Sequence, residues 1–251
     1  MGAAMEVAKY TERLVPSTRF VSVNNISPTI HNNTSFIAPT ANIIGDVSIG
    51  SSSSIWYNST VRADGNPVSI GSHTNIGECT IVHIAKIQGN HGTNIGDHVS
   101  IGSNSIIHAA TIKDYVCIGS GVQVLDGATI GSNVVIESGS IVTPGTTVPD
   151  GEVWSGSPAK FVRKVSKDDI EYIQSHSMDM SALALLHAGE TEKDYVTIAK
   201  DEEEYEDKLY RSEDYWQPTE EDPADVLGQG APGRIFDTTL SEPEEGLKKK
   251  N

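Results

Sequence analysis

The fold class this sequence predicts is an all-β core built as a parallel β-helix of six-residue repeats, and three observations predict it. First, an apolar residue recurs at Ile95, Ile101, Ile107, Ile112, Ile118, Val124, Ile130, Ile136, Val142, Val148 and Trp154. The step is six residues throughout, apart from one five-residue step at Ile112. Second, an earlier run keeps the same step through Ile49, Ile55 and Val61, then Ile70, Ile76 and Val82. Third, glycine follows the apolar position at Gly96, Gly102, Gly119 and Gly131. A helix repeats at about 3.6 residues and a half-buried strand at 2, so neither accounts for the period. Repeated hexapeptides do: each forms one short strand and a turn, and successive coils stack at roughly 4.8 Å. Three units make a triangular coil, with Ile and Val pointing inward and Gly, Ser, Asn and Asp at the tight corners.

The elements follow in order. Residues 1–35 form a lead-in, with a short helix expected from Glu6 to Val15 that places Val7, Tyr10 and Leu14 on one side. The β-helix occupies 36–160, interrupted by a loop excursion from His83 to Asn94 marked by Gly89 and Gly92. A C-terminal helix is expected within 161–190. Ser166 caps it, Asp168 and Asp169 sit in the first turn where the macrodipole favours acids, and Ile170, Ile173, Leu183, Leu185 and Leu186 form its apolar side. Residues 191–251, including Asp201–Asp207 and the Pro/Gly-rich Gln217–Arg234, read as an extended acidic tail.

Composition narrows the function classes. Aromatic residues are 6% of the chain, in keeping with a core of Ile and Val. Residues 1–164 carry 9 Lys+Arg against 11 Asp+Glu, a net charge of −2. Residues 165–251 carry 9 against 23, a net of −14. Such acidity disfavours nucleic acid and anionic lipid as partners and suits a solvated arm or one docked on a basic neighbour. No apolar run reaches the ~18 residues of a transmembrane helix. The two cysteines, Cys79 and Cys117, have no CxxC spacing, so an intracellular chain without a disulfide framework is expected. The first 25 residues lack the apolar block of a secretory signal, and Glu6 stands where myristoylation expects Ser or Thr.

Two histidines qualify as metal ligands by position. His83 and His108 each follow an inward residue, Val82 and Ile107. If the His83–Asn94 excursion bulges from one corner, the units at 82, 95 and 101 complete a coil and 107 returns to the face of 82. His83 and His108 then stack about 5 Å apart. Two histidines fall short of a catalytic zinc site, which takes three protein ligands, so the residues alone favour a surface or interface pair without metal over a metal site. Arg62 and Asp64, with the Ser72–Glu78 stretch a unit or two later, can pair as ions within the chain or across an interface, or bind bicarbonate.

The stretches VRADGNPVSIGSHTNIGECTIVHIAK, IGDHVSIGSNSIIHAATI and GEVWSGSPAKFVRK closely resemble the γ-class carbonic anhydrases. The nearest likeness is to the subfamily that serves as accessory subunits of mitochondrial respiratory complex I. The resemblance covers roughly Phe36 to Ala188. It implies a left-handed β-helix that forms trimers, with zinc between subunits: one subunit gives the first and last of three histidines, its neighbour the middle one. By resemblance His83 is the first ligand and His108 the last. Ser103 stands at the middle position, in a segment that runs Gly102-Ser103-Asn104-Ser105-Ile106-Ile107-His108 where the family has Gly-His-x-x-x-x-His. His91 and His98 lack the right place in the repeat to substitute.

Arg62, Asp64, His73 and Asn75 fit the family pattern, while Ala63 replaces its Gly. Asn75-Ile76-Gly77-Glu78 replaces Asn-Ile-Gln-Asp, which removes a side-chain amide and lengthens the acid, and Met180 stands where relatives often have tyrosine. The resemblance therefore implies a catalytically degenerate subunit in which Arg62, Asp64 and Glu78 are vestigial. Its partners are two other γ-carbonic-anhydrase-like subunits in a heterotrimer and membrane-arm subunits of complex I, on the matrix side of the mitochondrial inner membrane. Zinc is then expected only at an interface that a partner completes. An active enzyme sharing its site with a neighbour is the alternative. A hexapeptide acyltransferase, suggested by Gly156–Lys160 (GSPAK), is a weaker one, since no loop for coenzyme A is evident.

Overall fold

The computed structural model describes residues 19–85 and 92–210. The expected helix at Glu6–Val15, His91 and the Gln217–Arg234 segment lie outside those residues. Residues 1–193 and 194–251 form two compact units.

In the first unit the six-residue period is realised as three faces of stacked parallel strands. Inward residues of the first face run Ile43, Val61, Val82, Ile107, Val124 and Val142 in register. Those of the second run Ile30, Ile49, Ile70, Ile95, Ile112, Ile130 and Val148. Those of the third run Ile37, Ile55, Ile76, Ile101, Ile118, Ile136 and Trp154. Nearly all are buried and together they make one continuous core. Two longer strands, Asn42–Ile49 and Thr60–Ile70, turn the corner between the first and second faces without breaking, so those faces share one sheet. The excursion is narrower than the sequence suggested. His83 closes the strand Ile81–His83 and Asn94 lies in Thr93–Ile95, because both ends find ladder partners on neighbouring coils.

Corners between coils are close. A Cβ at Gly77 would lie 2.8 Å from the carbonyl oxygen of Ile101 and 2.8 Å from the backbone nitrogen of Ser103, so only glycine leaves room for this approach.

Helix α1 spans Lys167–Glu192 and lies on the third face. A capping box starts it: Ser166 Oγ accepts from the Asp169 amide at 3.1 Å, and Asp169 Oδ2 accepts from the Ser166 amide at 2.7 Å. The Arg163 guanidinium, 2.5 Å from Asp169, holds that carboxyl well below its usual range. The buried side of α1 is Ile173, Ser177 and Ala184. Leu183, Leu185 and Leu186 are exposed, contrary to expectation. Ile173, Ser177 and Ala184 lie on one stripe of the helix, and at 3.6 residues per turn that phase carries Leu183, Leu185 and Leu186 off the buried side. Over residues 195–210 the expected extended tail is instead helical. Helix α2 spans Tyr195–Tyr210 and includes the Asp201–Asp207 run. That stretch is rich in Glu, Lys and other helix formers, whose propensity outweighs its acidity.

Candidate functional site

Two clusters occupy opposite edges of the first face. At the edge leading to the second face, Arg62, His83 and His108 each follow the inward residues Val61, Val82 and Ile107, which pair in register. The His83 and His108 ring centroids are 5.1 Å apart at an interplanar angle of 48°. Asp64 receives two hydrogen bonds from Arg62, at 3.0 and 2.5 Å, and the guanidinium lowers its pKa. Asp64 Oδ1 also lies 3.8 Å from His83 Nε2. His83 Nε2 is buried and has no hydrogen-bond partner among the described residues. Burial, then the neighbouring charges of His108 and Arg62, lower the His83 pKa, so its ring is neutral and Nε2 or Nδ1 offers a lone pair. His108 is held through Nδ1 by the carboxylate of Asp126, on the next coil. Sequence reasoning missed Asp126. Counting the repeat one coil on from His108 leads to Leu125 and then Asp126, and that was the available signal.

At the edge joining the third face to the first, Ser103 Oγ donates to Glu78 Oε2 at 2.5 Å. Arg62 thus takes Asp64 as its partner in the chain, while Glu78 takes Ser103. A groove of about 320 Å³ runs from this edge beneath α1, lined in part by Gly77, Ser100, Cys117, Tyr172 and Met180. Asn75 is tied inward, its Oδ1 accepting from Ser54 at 2.8 Å and from the Trp56 indole. His98 is remote from both edges in its role: it stacks between His73 and Tyr115 and meets Ser177 of α1 at 3.2 Å. Among the described residues, no group of three or more His, Cys, Asp or Glu side chains is placed to hold a metal within one chain.

Residues 109–144 match the model of the bacterial transferase hexapeptide (six repeats) family. The chain is 39% identical over 183 residues to the mitochondrial gamma carbonic anhydrase 2 of Arabidopsis thaliana, covering 72% of this chain and 66% of that one, just under two thirds of its length. It is 37% identical over 187 residues to the mitochondrial gamma carbonic anhydrase 3 of the same plant, covering 73% of this chain and 72% of the relative. The chain belongs to the γ carbonic anhydrase family. Among solved structures, a hexapeptide transferase family protein from Anaplasma phagocytophilum superposes with a TM-score of 0.62 at 37% identity, covering 66% of this chain and 95% of that one.

For a γ carbonic anhydrase, zinc is the implied metal, and the two edges fit it differently. His83 and His108 suit zinc: one has an orphaned buried nitrogen, the other a nitrogen left free once Asp126 holds its partner atom. The opposite edge does not. Ser103 presents a hydroxyl already committed to a carboxylate, and serine is not among the usual zinc ligands.

Proposed function

We propose that this chain is a catalytically degenerate γ-carbonic-anhydrase-like subunit. It acts structurally in a heterotrimer with two other such subunits, attached to respiratory complex I on the matrix side of the mitochondrial inner membrane. The observation that carries the reading is Ser103. It stands at the middle-ligand position of the family pattern and donates its hydroxyl to Glu78 at 2.5 Å. A homotrimer of this chain would offer only two imidazoles per site, against the three protein ligands of catalytic zinc. The mitochondrial address is supported by relatives named as mitochondrial proteins, and attachment to complex I by the subfamily resemblance.

A second reading has its own observation. His83 and His108 are presented as a ready two-ligand half-site, so a partner that brings a histidine can complete one interface while the Ser103 side stays broken. Zinc, when bound there, would supply a nucleophile at neutral pH by acidifying water, the chemistry for which carbonic anhydrases are the reference case. Arg62 and Asp64 would contribute a fixed ion pair beside it.

The purified full chain is expected to carry far less than stoichiometric zinc and to hydrate carbon dioxide no faster than buffer. Ser103→His is expected to raise zinc uptake, measured by metal analysis after dialysis. Full zinc occupancy with hydration activity in the unmodified chain would overturn the degenerate reading, and no gain in Ser103→His would overturn the ligand assignment. Migration of the chain with a large membrane complex on native gels tests the attachment. Acetyl-coenzyme A binding would support an acyltransferase instead.

A further inference from the structure

We infer that Asp126 is a positioning residue that fixes the tautomer and orientation of His108 for metal binding at the partner-completed interface. This rests on the shared-site reading above. Asp126 lies on the coil after His108, in the corner that follows the strand Gln123–Val124, itself paired with Ile106–His108. Its Oδ1 contacts His108 Nδ1. An ionised carboxylate can only accept hydrogen bonds, so Nδ1 carries the proton, and in the neutral ring that leaves the lone pair on Nε2. The corner gives the contact a rigid base. The Gly127 amide donates to the Ala109 carbonyl at 2.8 Å, which locks the residue after Asp126 to the residue after His108. Among the described residues His83 has no such carboxylate at hydrogen-bond distance, since Asp64 is 3.8 Å away and committed to Arg62. The two ligands therefore differ. His108 is oriented by its own chain's next coil, whereas no described carboxylate holds His83 in the same way. Carboxylate partners of this kind raise the basicity of a metal-binding imidazole and remove the entropy of ring flipping.

The test has two arms, both on the full chain. In the first, long-range 15N–1H correlation of the metal-free protein reads the His108 tautomer directly. The expected result is the Nδ1–H form in the unmodified chain, a tautomer mixture or the Nε2–H form in Asp126→Ala, and retention of Nδ1–H in Asp126→Asn, whose amide oxygen still accepts. An Nε2–H ring in the unmodified chain, or no change in Asp126→Ala, overturns the inference. In the second arm, zinc affinity is measured by chelator competition in Ser103→His, with and without Asp126→Ala. Loss of Asp126 is expected to weaken binding about 10- to 100-fold, and equal affinities overturn its positioning role. If Ser103→His takes up no zinc with Asp126 intact, the shared-site reading falls, while the tautomer arm still decides what Asp126 does.

Discussion

Of the residues that depart from the family pattern at one edge of the β-helix, Ser103 and Gly77 are not equally reversible. Ser103 sits half-exposed at a corner, with its side chain turned to Glu78. Gly77 is enclosed by the backbone of the next coil, and any Cβ there meets the Ile101 carbonyl and the Ser103 amide at 2.8 Å. Restoring the family's glutamine at 77 therefore forces two coils apart, an overpacking that typically costs 1–3 kcal/mol. Gly77→Gln is expected to lower the unfolding free energy by that amount, read as a fall in the urea midpoint, whereas Ser103→His, at a half-exposed corner, stays within about 0.5 kcal/mol of the unmodified chain, as surface substitutions usually do. Unchanged stability in Gly77→Gln would show that the corner has room the structure denies. At this scale the sequence was legible where residues share a place in the repeat: counting inward positions put His83 beside His108, and their strands pair in that register. Side-chain choices between coils were not legible. Whether Glu78 takes Arg62 or Ser103, and whether a carboxylate reaches His108, depends on rotamers across a corner rather than on spacing.

Helix α1 shows what spacing reveals of an element and what it leaves out. Its start was readable, because Ser166 and Asp169 form a local capping box. Its buried side was readable only at Ile173, because the other buried contacts are made by Ser177 and Ala184 rather than by leucines. One of those contacts titrates. His98 stacks on His73 with centroids 4.8 Å apart and reaches Ser177 at 3.2 Å, while His73 Nδ1 is buried without a partner among the described residues. Burial first, and the nearby His73 second, hold the His98 pKa below its ordinary 6.5, with Asp97 and Asp114 opposing. The folded state thus disfavours the proton that the released ring accepts, so the contribution is present above about pH 6.5 and is lost as pH falls through the depressed folded value. Amide exchange along α1, corrected for intrinsic rates, is expected to show less protection at pH 5.5 than at pH 7.5. His98→Gln should flatten that difference. Equal protection at both pH values in the unmodified chain would remove His98 as the cause. His83 shifts in the same direction but sits at the edge between the first and second faces, so it bears on global stability rather than on α1.

At the scale of the whole β-helix, stability is close to a one-dimensional sum, since each coil touches only the coils above and below. The repeat in the sequence carried this architecture almost intact, because an inward apolar residue every sixth position is both the signal and the core. It understated the long strands that carry the first face into the second, where polar residues such as Arg62 and Asn66 break the pattern while the backbone stays extended. The same one-dimensional logic ranks core substitutions by position rather than by residue type. Ile118 is 1% exposed and lies in register between Ile101 and Ile136, so shortening it opens a gap against two coils. Ile37 is only half-buried and has a single described ladder neighbour, Ile55, on the inward column. Ile118→Ala is therefore expected to cost about 2–5 kcal/mol, with a fall in the urea midpoint and little change in slope, while Ile37→Ala costs clearly less. Equal losses at the two sites would mean that the coils unfold from the middle as readily as from the end, and the nearest-neighbour description would fail.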